Sequence, residues 1–407
     1  MHVLLIHQGF ATPNEPGGTR HFELARGAVE KGHQFTVIAS DISYITGQST
    51  GDGPQLPAHA TIEGVRVLRA FTHKTLHGSF AGRLFSFMTF AGSSLISALR
   101  VGKVDVVMGT SPPIFQAVSA WLIAGLRRRP FLLEIRDLWP DFVIDMGLLN
   151  NSLLIRGSRW LEKLLYARAA HLLVNSPAYV EYLITKGVPA GKITLLPNGV
   201  DPSMFDPTSD GDGIRKRLKL EGKFVVVYAG AIGLANDLDL LLQAAEELKT
   251  DANICFLIVG DGKERKRLEA EADSRGLENL MFAGAQPKRE MRRFLASADA
   301  CVAVLQNIPM FRMTYPNKVF DYMAAGRPVV LAIDGVIREV VEEARAGVCS
   351  SPGDAKALAQ SVRFLASHRE EREAMSRNGR SFVERHFNRT RQGQQFVNLL
   401  RELAIQG

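Results

Sequence analysis

Short apolar runs alternate with longer amphipathic stretches along the whole chain. Residues 3–7 are apolar enough to predict a buried strand. The spacing from about His21 to Lys31 predicts a helix, and Gly32-His33 turns the chain into a second strand over residues 34–40. A second series begins with a strand over residues 224–228 and continues through 252–259, 280–282, 300–305, 329–332 and 347–349, with helical patterns between. Apolar strands separated by helices build parallel sheets covered on both faces. Two such series predict an α/β protein of two doubly wound domains. The seam is expected near residues 195–202, because Pro197-Asn198-Gly199 is turn chemistry and the chain from there to Gly213 is rich in Pro, Ser, Asp and Gly.

Two segments are apolar enough to raise the question of a membrane. Residues 84–99 carry no charge and are closed by Arg83 and Arg100; residues 114–126 end in Arg127-Arg128-Arg129. A crossing helix needs about 20 apolar residues, so neither is expected to span. Either they pack on the sheet, or one lies against a bilayer with its arginines at lipid phosphates.

Composition narrows the class. A chain of 407 residues with 46% hydrophobic residues is globular and long enough for two or three domains. Cys255, Cys301 and Cys349 lie far apart, without Cys-x-x-Cys spacing, which predicts neither a disulfide framework nor a zinc site. The first residues lack a basic leader, so a cytoplasmic location is expected. The net charge of +7 is uneven: residues 1–200 hold 19 Lys and Arg against 13 Asp and Glu, the remainder 30 against 29. A basic first half predicts an anionic partner, such as a phosphate-bearing acceptor or anionic lipid. Its cations are scattered rather than interleaved with aromatics, which argues against nucleic acid.

Candidate chemistry sits in the turns after strands. Gly17 and Gly18 precede a helix, where backbone N–H groups and the helix terminus favour a phosphate; a plain strand-to-helix turn reads the same way. Gly230 and Gly233 follow the first strand of the second series, and a diphosphate clamped between two domains would use both turns. Gly260-Asp261-Gly262 reads as a structural turn, and Gln286, in the turn at residues 283–288, is a candidate for the base edge. The segment from Pro316 to Val330 carries most. Pro316 or Asn317 opens a helix, Lys318 lies in its first turn, Asp321 follows one turn on, and Gly326 ends it. A cation with helix N–H groups suits a diphosphate, and a carboxylate one turn later suits ribose hydroxyls.

These residues carry a resemblance over nearly the whole chain. Pro16-Gly17-Gly18-Thr19-Arg20-His21, Glu134-Ile135-Arg136-Asp137-Leu138-Trp139-Pro140, Leu196-Pro197-Asn198-Gly199-Val200-Asp201, Phe282-Ala283-Gly284 and the 316–330 block resemble family 4 of the retaining GT-B glycosyltransferases. They are most similar to bacterial O-antigen, capsule and exopolysaccharide transferases, including L-fucosamine transferases. The resemblance implies two Rossmann-like domains facing across a cleft: an acceptor-side domain over 1–197 and a nucleotide-sugar domain over 198–384. A C-terminal helix over 385–407 would cross back to the first. It implies a nucleotide-sugar donor, most commonly UDP-linked, a glycan or lipid-linked acceptor, possible peripheral membrane contact and no metal. Asp321 takes the place of the ribose-binding Glu, with Lys318, Gly233 and Gly18 facing the diphosphate.

Two departures are visible. Met313 stands where the family's first motif Glu would touch the donor sugar, which suggests a deoxy or N-acetylamino sugar. The usual Arg/Lys pair is missing from residues 231–240, so charge compensation is expected from Lys318, with Arg312, Arg289 or Arg20 as further candidates. Asp137 and Arg136 are expected to orient donor or acceptor, and His7 and His21 to be structural. A sugar-nucleotide 2-epimerase or an inactive nucleotide- or lipid-binding homologue are the alternative functions.

Overall fold

The computed structural model describes residues 1–50, 59–75, 80–205 and 210–406. The chain forms two compact units: Met1–Ala11, Gly18–Pro197 and Thr390–Gly407 make the first, Thr12–Gly17 and Asn198–Arg389 the second.

The first unit is built on strands β1 (His2–Ile6), β2 (Gln34–Ser40), β3 (His59–Ile62), β4 (Val65–Ala70), β5 (Val106–Ser111), β6 (Phe131–Ile135), β7 (His171–Val174) and β8 (Ile193–Leu195). Their order is β3-β4-β2-β1-β5-β6-β7-β8. All pairs are parallel except β3 with β4, an antiparallel edge hairpin that the reading by apolar runs did not contain. Its turn residues Glu63 and Gly64 have φ of 47° and 81°, the positive pair a tight hairpin requires. β1 lies between β2 and β5, so successive connections leave it in opposite directions. The carboxyl ends around it, where Ile6 pairs with Ile38 and with Gly109, form the crevice such sheets use for ligands.

The second unit contains β9 (Phe224–Ala229), β10 (Ile254–Val259), β11 (Leu280–Gly284), β12 (Ala300–Val304), β13 (Val329–Ala332) and β14 (Gly347–Cys349), in the order β11-β10-β9-β12-β13-β14. Every pair is parallel. β9 is the switch strand. Its inward side chains Val226 and Tyr228 are fully buried with Phe256, Ile258 and Val302 in one core.

The helix expected over 385–407 is two helices, Arg369–His386 and Arg389–Gln406. The break has a local cause. Phe387 packs its ring 4.6 Å from Phe320 and 6.0 Å from Tyr315. Its carbonyl accepts from Val200 N–H at 3.0 Å, and Arg389 N–H donates to Val200 at 2.8 Å, so strand-like pairing replaces a turn of helix. Beyond the break, Phe396, Val397 and Leu400 join the first unit's core beside Phe35.

Candidate functional site

The second unit gathers the candidate binding residues at the carboxyl end of β9. The helix Asn317–Ala324 has Pro316 at its N-cap in extended conformation, where a residue without an N–H costs nothing. Asn317 opens it with its side-chain carbonyl buried and without a hydrogen-bond partner. One residue on, the Lys318 ammonium reaches back to the switch strand. It lies 2.8 Å from the Tyr228 hydroxyl, 2.9 Å from Asn236 Oδ1 and 4.2 Å above the Tyr228 ring. No carboxylate lies within ion-pair distance of it among the described residues. Burial without a counter-charge pulls its pKa down to about 7.

The glycine turn after β9 is shaped around this lysine. A Cβ on Gly230 would stand 3.0 Å from Lys318 Nζ, whereas one on Gly233 would meet nothing within 4 Å. Gly233 is extended, at φ −126° and ψ 166°, and opens a short turn through Asn236. The Gly260-Asp261-Gly262 turn braces this loop, as expected of a structural turn. Gly230 N–H donates to Val259 at 3.0 Å, and Ile232 N–H to Asp261 at 2.9 Å. A Cβ on Gly260 would come within 1.8 Å of Gly230 O, and one on Gly262 within 2.3 Å of Ile232 O, so these contacts admit only glycine.

Asp321, one helical turn after Lys318, is ion-paired to Lys288, whose ammonium also sits 5.1 Å over the Phe205 ring. Gln286 lies in the same turn as Lys288, its amide donating to Ala283 O at 3.0 Å. Met313 closes the Pro309–Met313 turn that leads into the helix. That turn is pressed against Gly335, where φ is +86° and a Cβ would fall 2.0 Å from Arg312 O.

The remaining candidates, apart from Gly17 of the second unit, belong to the β1–β6 region of the first unit. Gly17, at φ 139°, and Gly18 precede the helix Arg20–Glu30, and the chain passes from one unit to the other between them. Arg136 and Asp137 follow β6. Arg136 N–H donates to Ser111 at 2.9 Å and its guanidinium to Pro112 O at 3.0 Å, while its Nε is buried without a partner. Burial raises the Asp137 carboxyl to about 6, only partly offset by Arg136. His7 at the end of β1 is buried, with both ring nitrogens unpartnered.

Arg20 is engaged within the first unit. Its Nε bonds Glu134 at 3.0 Å, and its other nitrogens donate to Pro197 and Leu196 carbonyls at 2.8 and 2.7 Å. His21 takes the second Glu134 oxygen. Burial opposes ionisation of Glu134, but His21 and Arg20 outweigh it and hold the carboxyl far below the usual range. Arg289 and Arg312 stand exposed. Tyr228, Asn236, Lys288 and Glu134 were given no role from the sequence. Glu134, within the motif of residues 134–140, and Lys288, at the end of the 283–288 turn, are the two whose positions gave a signal.

Residues 17–199 match the family described as Glycosyl transferase 4-like domain, and residues 211–382 that described as Glycosyl transferases group 1. The colanic acid biosynthesis glycosyl transferase WcaI of Escherichia coli (strain K12) is 26% identical over 397 residues, covering 93% of this chain and 94% of that one. Among solved structures, sucrose-phosphate synthase from Thermosynechococcus elongatus superposes with a TM-score of 0.78 at 18% identity, each chain covered in full. HepE from Anabaena, in complex with UDP and glucose, gives 0.75 at 18% identity over 99% of this chain and 100% of that one.

Proposed function

We propose, from the premise that the chain is a glycosyltransferase of GT-B fold with a 4-like and a group 1 domain, that it uses a UDP-sugar. The acceptor is a glycan or a polyprenyl-diphosphate-linked glycan of a surface polysaccharide, a reading supported by the likeness to WcaI, which is named for colanic acid biosynthesis. Transfer proceeds with retention, without a metal, on the cytoplasmic side. The observation that carries this reading is Lys318: a buried ammonium with no counter-ion among the described residues, at the first turn of a helix and beside a glycine loop with open space at Gly233. Such a site is completed by a diphosphate, which supplies the missing charge and accepts the helix N–H groups. UDP as the donor nucleotide is supported by HepE, solved with UDP and glucose.

In this reading Asp321, oriented by Lys288, accepts the ribose hydroxyls, and Asn317 Oδ1 and Gln286 serve the nucleotide's polar edges. The bond from the sugar C1 to the β-phosphate oxygen breaks as negative charge develops on the diphosphate. Lys318 and the helix terminus stabilise that charge, a term for which removing one donor typically costs about 2.7–4 kcal/mol. The acceptor hydroxyl attacks the face the diphosphate leaves, and its proton passes to a departing phosphate oxygen. Asp137 and Arg136 orient the acceptor. Met313, in place of an acid, favours a deoxy or N-acetylamino sugar over one whose hydroxyls need a carboxylate.

Thermal-shift titration with UDP, GDP, ADP and CDP, followed by UDP release from UDP-sugars, tests the proposal. UDP is expected to stabilise the wild type and to lose its effect in Lys318→Ala, and UDP release is expected to depend on an acceptor. Equal stabilisation of both proteins would remove Lys318 from the site. Sugar conversion without acceptor would point to an epimerase instead.

A further inference from the structure

The sequence casts both His7 and His21 as structural, and the fold separates them. His21 is buried and bound to Glu134, as a structural histidine should be. His7 is held as firmly by its backbone at the carboxyl end of β1. Its N–H donates to Ile38 O at 3.0 Å, and its carbonyl accepts from Phe10 N–H at 3.3 Å. The His7 ring is 1% exposed and lies 4.3 Å from the His21 ring and 6.3 Å from that of Phe10, yet neither of its nitrogens has a hydrogen-bond partner. Burying unanswered polar atoms is costly, and a fold retains them where a ligand answers them.

Other atoms of the same cluster share this condition. Arg136 Nε is buried without a partner, and Arg136 is near enough to act electrostatically on both His7 and Tyr44. Asn175, 5% exposed, donates its amide to Arg136 O at 3.2 Å and leaves its own side-chain carbonyl unpartnered. Gly9 stands between His7 and Tyr44: a Cβ there would lie 3.7 Å from His7 Nε2 and 3.6 Å from the Tyr44 ring, in ordinary contact with both. The glycine thus leaves room for a carbon between an imidazole nitrogen and a ring that is 45% exposed.

The hydrogen-bonding inventory decides what these atoms take. Burial, with His21 and Arg136 beside it, holds His7 well below the ordinary histidine pKa, so at pH 7 it offers one N–H and one lone pair. Arg136 Nε adds a donor and Asn175 Oδ1 an acceptor. An ionised phosphate only accepts, and would leave the His7 lone pair and Asn175 unanswered. Nearby charges also cancel, Arg20 against Glu134 and Arg136 against Asp137 once that carboxyl ionises near pH 6. Sugar hydroxyls both donate and accept, and an exposed tyrosine ring suits the apolar face of a pyranose.

We propose that the terminal unit of the acceptor is an uncharged sugar, its hydroxyls held by His7, Arg136 and Asn175 beside the Tyr44 ring, and that His7 is the residue that selects it over a phosphate. The proposal rests on the reading of the chain as a glycosyltransferase and narrows its acceptor. The new bond then joins two sugars, so a reaction that attaches the first sugar to its carrier must precede this one.

NMR of the full chain with 15N-labelled histidine tests it, the His7 signals being those lost in His7→Phe. The probes are methyl glycosides of glucose, galactose, mannose, N-acetylglucosamine, fucose and rhamnose, set against geranyl phosphate, each with and without UDP. At least one glycoside is expected to shift the His7 nitrogens, with its affinity falling about tenfold or more in His7→Phe. Geranyl phosphate should leave them unmoved. Gly9→Ala, which the backbone admits, should weaken the same glycoside at an unchanged melting temperature. His7→Phe should melt at or above the wild-type temperature, because an aromatic ring replaces unanswered polar atoms, whereas a structural histidine would take stability with it. UDP-N-acetylglucosamine affinity, read by calorimetry, should be the same in all three proteins; its absence from the wild type would overturn the donor reading, a separate result. No glycoside shift at His7, a shift by geranyl phosphate instead, or a His7→Phe protein that binds glycosides like wild type would overturn the proposal.

Discussion

Donor binding should take up a proton, and the amount is set by Lys318. In the empty site this lysine titrates near 7 because it is buried without a counter-charge. A diphosphate beside it restores the charged form and returns the pKa toward the ordinary value of about 10.4. Below pH 7 the ammonium is charged with or without ligand, and affinity is flat. Above pH 7 the empty protein has lost the proton and the complex has not, so each pH unit weakens binding about tenfold, worth about 1.4 kcal/mol. Between pH 6 and 8.5 the expected loss is roughly 30-fold, with uptake of about half a proton at pH 7 and about 0.9 at pH 8. UDP-N-acetylglucosamine is the ligand to use, because the diphosphate of a UDP-sugar has no secondary ionisation in this range. Calorimetry in buffers of different ionisation enthalpy reads the uptake directly. Lys318→Met should bind weakly with no linked proton. Affinity constant to pH 8.5, or the same uptake in Lys318→Met, would show that the lysine does not meet the diphosphate.

The same charge burdens the fold. The folded pKa of Lys318 lies below the unfolded one, so its charged form destabilises the native state at low pH, and stability recovers as pH rises from about 7 toward 10.5. Lys318→Met should therefore raise the melting temperature by about 4–8 °C at pH 6, net of the two hydrogen bonds the ammonium gives up, with the gain shrinking by pH 9. Gly233→Ala should leave the melting temperature of the empty protein within about 2 °C of wild type yet abolish the shift caused by UDP, because its Cβ enters space open only until the ligand arrives. Glu134→Gln should cost on the order of 3 kcal/mol in urea unfolding at pH 7, since Arg20 and His21 lose their buried partner. Its folded pKa is depressed, so this stability is present above about pH 4.5 and is lost as pH falls below it. Acceptor-dependent kcat/KM should rise through pH 6 as Asp137 ionises; Asp137→Asn should be slower and lose that limb.

Much of the architecture was legible because buried parallel strands write themselves as continuous apolar runs. The strands Gln34–Ser40, Val329–Ala332 and Gly347–Cys349 have the bounds their composition predicts. The edge hairpin β3–β4 was not legible: His59–Ile62 is four residues long, on a sheet margin where no second face demands apolar side chains. The break at Phe387 was invisible for a different reason. Residues 385–406 are acceptable helix formers throughout, and only a tertiary partner, Val200 with the Phe320 ring, makes extended backbone the better arrangement there.

The site divides along the same line. Lys318 and Asp321 could be read because one helix carries both at fixed spacing. What determines their chemistry comes from 82 to 90 residues away for Lys318, from Asn236 and Tyr228, and from Lys288 for Asp321. A spacing argument sees a cation; it does not see that its partners among the described residues are the phenol and ring of Tyr228 and the amide of Asn236. Those neutral partners hold the ammonium in place without satisfying its charge. A carboxylate at Asn236 would have stabilised the empty protein and left less for the diphosphate to gain. The lowered pKa and the expected proton uptake are thus two readings of one choice of neighbours.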